Sequence, residues 1–320
     1  MKQGLVSAIV LSFNRKEETL ACLAALEGQS YERVEIVVVD NGSVDGSADA
    51  IAAEFPEVQL IRLPENLGAW GPRDTAIANS EGEYIFMIDN DAVCDADAVE
   101  KLVARMEESD QIGIVQPRIT DLDGMTVYDM GFGRDKADFE FYRWQFHGCA
   151  ALIRREAYDW AGGFPHHYHV AGGEGYLSVP MIGAGFRILY HPEVTIRHEL
   201  SPKERIPRQR FLMSNLHRMQ NTATFNPSLA RVFMDFAWKL LFFAIGCVRN
   251  GYLGMLPTGL CLHVAEFVRT LRFHRRPISR QAQRLVDYLC QHQVRTSEDY
   301  EDVDLSKVSW SSVVAHRFWR

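Results

Sequence analysis

Short apolar runs recur through the first 90 or so residues, each closed by a polar turn. Leu5-Val6-Ser7-Ala8-Ile9-Val10-Leu11 runs into Ser12-Phe13-Asn14-Arg15. Residues 34–39 run into Asp40-Asn41-Gly42-Ser43-Val44-Asp45-Gly46-Ser47, and 58–63 lead to Glu65-Asn66-Leu67-Gly68. Tyr84-Ile85-Phe86-Met87-Ile88 ends abruptly in Asp89-Asn90-Asp91. Runs this short, apolar on both faces and rich in β-branched residues, predict buried strands of a parallel sheet. Between them Leu20, Leu23, Ala24 and Leu26 fall at helical spacing, and further helices are predicted over 48–54, 72–79 and 95–108. Val99, Leu102, Val103 and Met106 form the apolar face of the last. Alternating strands and helices predict an α/β fold, a doubly wound and mainly parallel sheet flanked by helices.

Downstream, the pattern predicts strands at 112–116, 146–153, 186–190 and 194–199, and helices at 154–160 and, despite Pro180, 176–184. A polar, glycine-containing segment at 121–138 reads as a hairpin or mobile loop, and 162–175 is glycine-rich. The character of the chain changes near residue 205. From 231 to 248 it is apolar nearly all round, relieved by Arg231, Asp235 and Lys239, which at four-residue spacing form one polar stripe. A second apolar stretch at 253–271 is broken by Pro257, His263, Glu266 and Arg269 and runs into Arg272, His274, Arg275 and Arg276. These interruptions argue against a membrane-spanning helix. Two readings stand: a segment lying in the interface of an anionic membrane, or a helical lid packed on the catalytic domain or on a second subunit of a homo-oligomer. The expected divisions are therefore 1–204, a helical region at 205–295 and a tail at 296–320. That tail is acidic, then aromatic (Trp310, Phe318, Trp319), and suggests no role.

Composition narrows this little. A net charge of −8, with 34 Lys and Arg against 42 Asp and Glu, excludes an electrostatic nucleic-acid binder. The six cysteines are scattered without a close pair, so neither a zinc site nor a disulfide framework is expected. A reducing, cytoplasmic setting fits, either free or peripheral on the inner face of the cytoplasmic membrane. The first apolar run leads straight into a polar loop with no small-residue cleavage site, and so reads as a strand rather than a signal peptide.

The chemistry starts at Asp89 and Asp91. In an open α/β sheet the carboxyl ends of the strands face the ligand crevice. Two acids there are costly unless something positive sits between them, and a divalent cation holding a diphosphate meets that need. Alone, an Asp-x-Asp triplet is more often a helix start than a metal site.

The ordered set of motifs alters that judgement. Leu11 to Arg15, then Val39 to Ser47, Asn66-Leu67-Gly68 with Arg73, Asp89-Asn90-Asp91 and Gly162-Gly163-Phe164 together resemble the family 2 inverting glycosyltransferases with the GT-A fold. The likeness is greatest to bacterial rhamnosyltransferase-like members that build surface polysaccharide, and it covers roughly 5–200. It implies a UDP- or dTDP-sugar donor and a glycan or lipid-linked acceptor. The Ser12-Phe13-Asn14 loop and Asp40 would hold nucleobase and ribose, with Asn41, Asn66, Gly68 and Asn90 also on the donor side. Arg73 would approach the diphosphate. Asp91 would ligate Mg²⁺ or Mn²⁺, with Asp89 on ribose, metal-bound water or the metal, and His198 as a further ligand.

Relatives place a Glu-Asp pair at the start of the helix after the glycine-rich passage, and its Asp is the general base. Here the pair is Glu174-Gly175, and Leu177 stands where an acid often follows. Either Glu174 takes over as base, or the base is one of Asp159, His166, His167 and His169, or the chain binds donor without transferring it. The three histidines also suit a loop lining the acceptor site or, less readily, a second metal. A sugar nucleotidyltransferase is the remaining alternative, but that class has a glycine-rich basic loop after the first strand, and Ser12-Phe13-Asn14-Arg15 is neither.

Overall fold

Val6, Ala8, Ile9 and Val10 are fully buried, as their unbroken apolar run requires of a central strand. In the computed structural model, which describes residues 1–124, 138–199 and 207–305, they lie in β1 (Lys2–Ser12). Beside it run β2 (Val34–Asp40), β3 (Gln59–Arg62) and β4 (Gly82–Asp89), all parallel. The connecting helices are α1 (Lys16–Glu27), α2 (Ser47–Glu54) and α3 (Gly71–Ala78). This half of the sheet is as the alternating pattern predicts.

The other half is mixed. After β5 (Ala92–Cys94) and α4 (Ala98–Glu107) come β6 (Ile112–Thr120), β7 (Phe141–Arg143), β8 (Ala150–Arg154), α5 (Arg155–Ala161), α6 (Gly173–Gly183) and β9 (Arg187–His198). The spatial order is β3-β2-β1-β4-β8-β6-β9-β5, with β7 also on β9. β8 is antiparallel to both β4 and β6, while β6 and β9 pair in parallel. Three expectations shift accordingly. The run at 146–153 is strand only from Ala150, and β5 and β7 were too short to announce themselves. The two strands expected at 186–190 and 194–199 are one, with a register shift between Pro117↔His191 and Arg118↔Thr195 that absorbs Pro192, which lacks a ladder N–H.

Beyond residue 207, α7 (Pro207–Phe225), α8 (Leu229–Arg249) and α9 (Leu256–Arg269) form their own small cores, one of Leu216, Met219, Val232 and Phe267. A second gathers Phe243, Cys247 and Met255. The chain then returns: α10 (Arg280–Leu289) puts Val286 and Leu289 into the main core, and α11 (Ser297–Glu301) reaches Arg187 through Glu301 at 2.9 Å. Among the described residues no helix is long and apolar enough to cross a membrane. Most of the 121–138 segment, and Trp310, Phe318 and Trp319 of the tail, lie outside the described residues.

Candidate active site

The carboxyl ends of β1, β2 and β4 open on one side of the sheet, and the motif residues gather there. The loop after β1 turns through two left-handed residues, Asn14 (φ 54°) and Arg15 (φ 59°), a conformation that costs a non-glycine residue free energy. Contacts to neighbouring loops hold it. The Asn14 N–H donates to Ser43 Oγ at 2.8 Å, and Asn14 Oδ1 accepts from the Val44 N–H at 3.0 Å. The strained turn aims Arg15 at Asp91, whose carboxylate accepts from its guanidinium.

Asp40 ends β2. Its Oδ2 accepts from the Ser43 N–H at 3.1 Å, while Oδ1 is buried with no hydrogen-bond partner among the described residues. Burying a carboxylate oxygen unpaired is costly, so the vacancy in its bonding points to a ligand donor. Asn41 and Asn66 are engaged with each other instead: Asn41 Nδ2 donates to Asn66 Oδ1 (3.1 Å) and to the Gly68 carbonyl (2.9 Å). These bonds engage the Asn41 amide in shaping the loop, while Asn66 is exposed and takes part through its Oδ1. Gly68 (φ 90°) lies so close to His169 that a Cβ would come within 2.8 Å of its backbone. Ser12 is buried, with its hydroxyl 3.5 Å from Thr19 Oγ1, and Asn90 Nδ2 donates to Thr19 Oγ1 at 2.8 Å. Phe13 lies half-buried in the loop between them.

Asp89 ends β4 and is ion-paired with Arg73 of α3, whose other nitrogen donates to the Ala69 carbonyl at 2.6 Å. His198 ends β9, and the register Ala92↔His198 sets it beside the acids. Its Nε2 lies 3.0 Å from Asp91 Oδ1 and 3.9 Å from Asp89 Oδ2. Burial pushes the Asp89 carboxyl up, and the Asp91 charge adds to this against Arg73, His198 and Arg15. Two carboxylates and an imidazole converging in a partly closed site fit a divalent cation such as Mg²⁺ or Mn²⁺. Cys149 also brings its sulfur within 4.8 Å of Asp89 and His198 ligand atoms. Mg²⁺ and Mn²⁺ prefer oxygen and nitrogen donors to sulfur, which favours the two carboxylates and the imidazole over Cys149 as ligands.

Glu174 enters from the opposite wall, in the first turn of α6. Its Oε2 accepts from the Gly172 N–H at 2.9 Å. Burial raises its pKa; the Asp89 charge adds, while Arg73 and backbone N–H donors oppose, so this carboxyl belongs to the same electrostatic site. Glycines make the approach possible. A Cβ on Gly173 would sit 2.3 Å from the Trp70 indole, and one on Gly148 would be 2.7 Å from Glu174 Oε1. At Gly175 a Cβ would meet Asn221 Nδ2 at 3.2 Å and Gln145 Oε1 at 3.3 Å. The space a carboxylate would need at 175 is thus taken by two amides, one of them from α7.

The other acceptor-side candidates scatter. His166 pairs with Asp74 at 2.6 Å, and Asp159 lines a separate cleft with Asp74, Arg155, Tyr158, Gly162 and Gly163. His167 stacks on His274 with ring centres 4.9 Å apart, its pKa brought down to about 4, by burial first and then by the His274 charge. His169 backs Gly68, its carbonyl accepting from the Ala69 N–H at 2.8 Å. The three histidines therefore serve three neighbourhoods rather than one metal. Residues given no role in the sequence reading are Arg15, which directly follows Asn14, and His147, whose Nδ1 accepts from the Cys149 N–H at 3.1 Å. Arg15 was legible as the last member of the first motif; nothing local to His147 singles it out.

The family model for glycosyl transferase family 2 matches residues 7–160, the stretch that supplies Ser12, Asp40, Arg73, Asp89 and Asp91. The chain belongs to glycosyl transferase family 2. Among relatives, an N-acetylglucosaminyltransferase of Bradyrhizobium elkanii is 33% identical over 111 residues, 33% of this chain and 61% of that protein. Glycosyltransferase AglE of Haloferax volcanii is 25% identical over 276 residues, covering 83% of this chain and 90% of its own. Among the curated relatives, the chain spans 61% of the Bradyrhizobium protein's length and 36% of a Streptococcus pneumoniae glycosyltransferase, GlyG. Two solved structures share the fold. S. aureus TarS 1-349, in complex with UDP-GlcNAc, has a TM-score of 0.59 at 14% identity, covering 93% of this chain and 88% of that one. The mannosyltransferase PcManGT of Pyrobaculum calidifontis, in complex with GDP-Man and Mn²⁺, has a TM-score of 0.54 at 19% identity, covering 98% and 85%. The family's GT-A architecture, a central sheet flanked by helices, is the fold expected from the motifs.

Proposed function

We propose that this family 2 chain transfers a sugar, with inversion, from a UDP- or dTDP-sugar to a hydroxyl of a glycan or lipid-linked acceptor in cell-surface polysaccharide assembly. The observation that carries the reading is the convergence of Asp89, Asp91 and His198 at the sheet's open end, 3.0 to 3.9 Å apart where His198 meets the acids. Mg²⁺ or Mn²⁺ held there would act as a Lewis acid on the departing nucleoside diphosphate. A structural neighbour in complex with GDP-Man and Mn²⁺ supports this choice of cation. Asp40 offers its unpaired Oδ1 to the imide N–H of uracil or thymine. Arg73, already oriented by Asp89 and the Ala69 carbonyl, presents positive charge to the diphosphate.

Glu174 is the base in this reading. A raised carboxyl pKa brings it nearer the operating pH, where it accepts the acceptor hydroxyl's proton as the sugar is attacked from the opposite face. Gly175 favours one rival, a donor-binding protein without turnover. A screen of nucleotide sugars by thermal shift, with and without Mn²⁺, followed by transfer assays on Glu174→Gln, separates the two. The proposal expects the right donor to raise the melting temperature by mass action, and the variant to keep that shift while losing transfer by about a hundredfold or more. Unchanged transfer by the variant would remove Glu174 from the role, and no stabilising sugar nucleotide would remove the donor site itself.

A further inference from the structure

The helix α8 is built inside out. Its polar stripe faces protein: Arg231 pairs with Asp287 of α10 at 2.9 Å, and Lys239 pairs with Asp235 at 2.6 Å. Lys239 also donates to the Arg218 carbonyl of α7 at 2.8 Å. Its outer face is apolar, with Phe233, Met234, Trp238, Leu241, Ile245 and Val248 each 40% to 61% exposed. Val264, Val268 and Phe273, in and just after α9, continue the surface. Eleven of the sixteen exposed large apolar residues among the described ones fall between 229 and 273. Apolar residues clustered in this way mark a surface that something covers, whereas scattered ones are ordinary.

The charge pattern selects the cover. Between 207 and 284 there are twelve Arg and Lys against two Asp and Glu, although the whole chain is −8. Arg249, Arg269 and Arg272 are exposed at the ends of these helices, and Arg272 lies 5.1 Å from the Phe273 ring centre. A second copy meeting this face would set two basic clusters against each other. An anionic lipid surface takes up both features, the apolar side chains entering the acyl boundary and the arginines resting at the headgroups. No described helix is fit to span, so the contact lies along the surface.

We propose that the outer face of α8 and α9 docks this chain on an anionic membrane surface. This goes beyond sugar transfer and stands independently of it. It also has a consequence for the site. α7 packs against α8 on one side, and on the other His217 Nδ1 lies 2.8 Å from the Val170 and Ala171 carbonyls while Asn221 Nδ2 donates to the Gly172 carbonyl at 2.8 Å. One helix layer thus separates the lipid face from the loop that leads into Glu174 of α6, which suits an acceptor presented at the membrane.

The test mixes the full chain with vesicles of phosphatidylcholine alone and of phosphatidylcholine with phosphatidylglycerol. Co-sedimentation is expected with the anionic vesicles and is expected to fall as salt rises. Phe233→Ser, Trp238→Ser and Ile245→Ser combined should lower partitioning by at least about tenfold, since each removes a large buried-on-docking side chain. Arg249→Glu with Arg272→Glu should bring anionic binding down to the neutral-vesicle level. Brominated phosphatidylglycerol should quench the wild-type fluorescence, and Trp238→Phe should remove that quenching, a readout that needs no destabilised variant. Wild-type chain remaining in the supernatant with both vesicle types would overturn the proposal. So would a dimer in sedimentation velocity that the triple substitution turns into monomer without any vesicle binding.

Discussion

His198 Nε2 and Asp91 Oδ1 are 3.0 Å apart although 107 positions separate them in the chain. The pairing is set by backbone register: Ala92 stands opposite His198, and the Glu199 N–H donates to the Asp91 carbonyl at 2.8 Å. A two-strand seam therefore aligns an acid after β4 with an imidazole at the end of β9. Arg15, from a third element, closes over the same carboxylate.

Asp91→Asn should lose the Mn²⁺-dependent part of donor stabilisation, because an amide cannot replace a carboxylate as an anionic ligand. It should also lower stability, since the Arg15 guanidinium loses the charged carboxylate to which it donates. Chemical denaturation and donor titration with and without Mn²⁺ measure the two effects separately.

Gly175→Asp is expected to destabilise the chain although it recreates the Glu-Asp pair that the family resemblance implies. The new Cβ meets amide atoms at 3.2 and 3.3 Å, and the carboxylate must displace Asn221 or Gln145. Overpacking of this kind costs about 1–3 kcal/mol. Asn221→Ala in the same chain should recover part of the loss, which a double-mutant cycle on denaturation midpoints would reveal.

With Glu174 as the proposed base, the acid limb of kcat/KM should lie above the ordinary glutamate value of 4.5. Burial disfavours the charged Glu174 carboxyl, so the base form is depleted as pH falls through this raised pKa. A pH–rate profile checks it, and an acid limb at or below 4.5 in an active enzyme would place the base elsewhere.

A separate pH effect concerns stability. Burial alone would raise the Glu140 pKa, but hydrogen bonds from His191 and Arg105 outweigh it and hold it at about 2 against an ordinary 4.5. A carboxylate depressed in the folded state stabilises above the unfolded pKa, and that contribution is lost as pH falls from about 4.5 towards 2. Melting temperature should drop through this window, and Glu140→Gln should flatten this part of the curve.

Hydrophobic pattern carried the parallel half of the sheet, because β1, β2 and β4 are buried on both faces and so read as unbroken apolar runs. It missed β5 and β7, each of three residues, since pairing with β9 rather than local composition makes them strands. Asp89 could be singled out because it ends a strong strand signal, and Asp40 and Arg73 because they stand in motifs that resemble those of the family. Asn41, Asn66 and Gly68 were legible as motif members, but only their mutual hydrogen bonds reveal that they shape a loop. Likewise the four-residue spacing of Arg231, Asp235 and Lys239 established one polar stripe on α8. Periodicity is blind to direction, and the partners on α7 and α10 turned that stripe inward.

By itself, then, the order of residues determined the fold class, the two acids at the end of β4 and the absence of an Asp after Glu174. Those follow from local burial and from motif order, which need no distant partner. Tertiary structure decided what surrounds them: His198 and Arg15 on Asp91, Asn221 and Gln145 in the space at Gly175, and an apolar face left outward on α8. Each of these depends on which remote segments pack together, and that is settled by the summed burial of the whole chain rather than by any stretch of it.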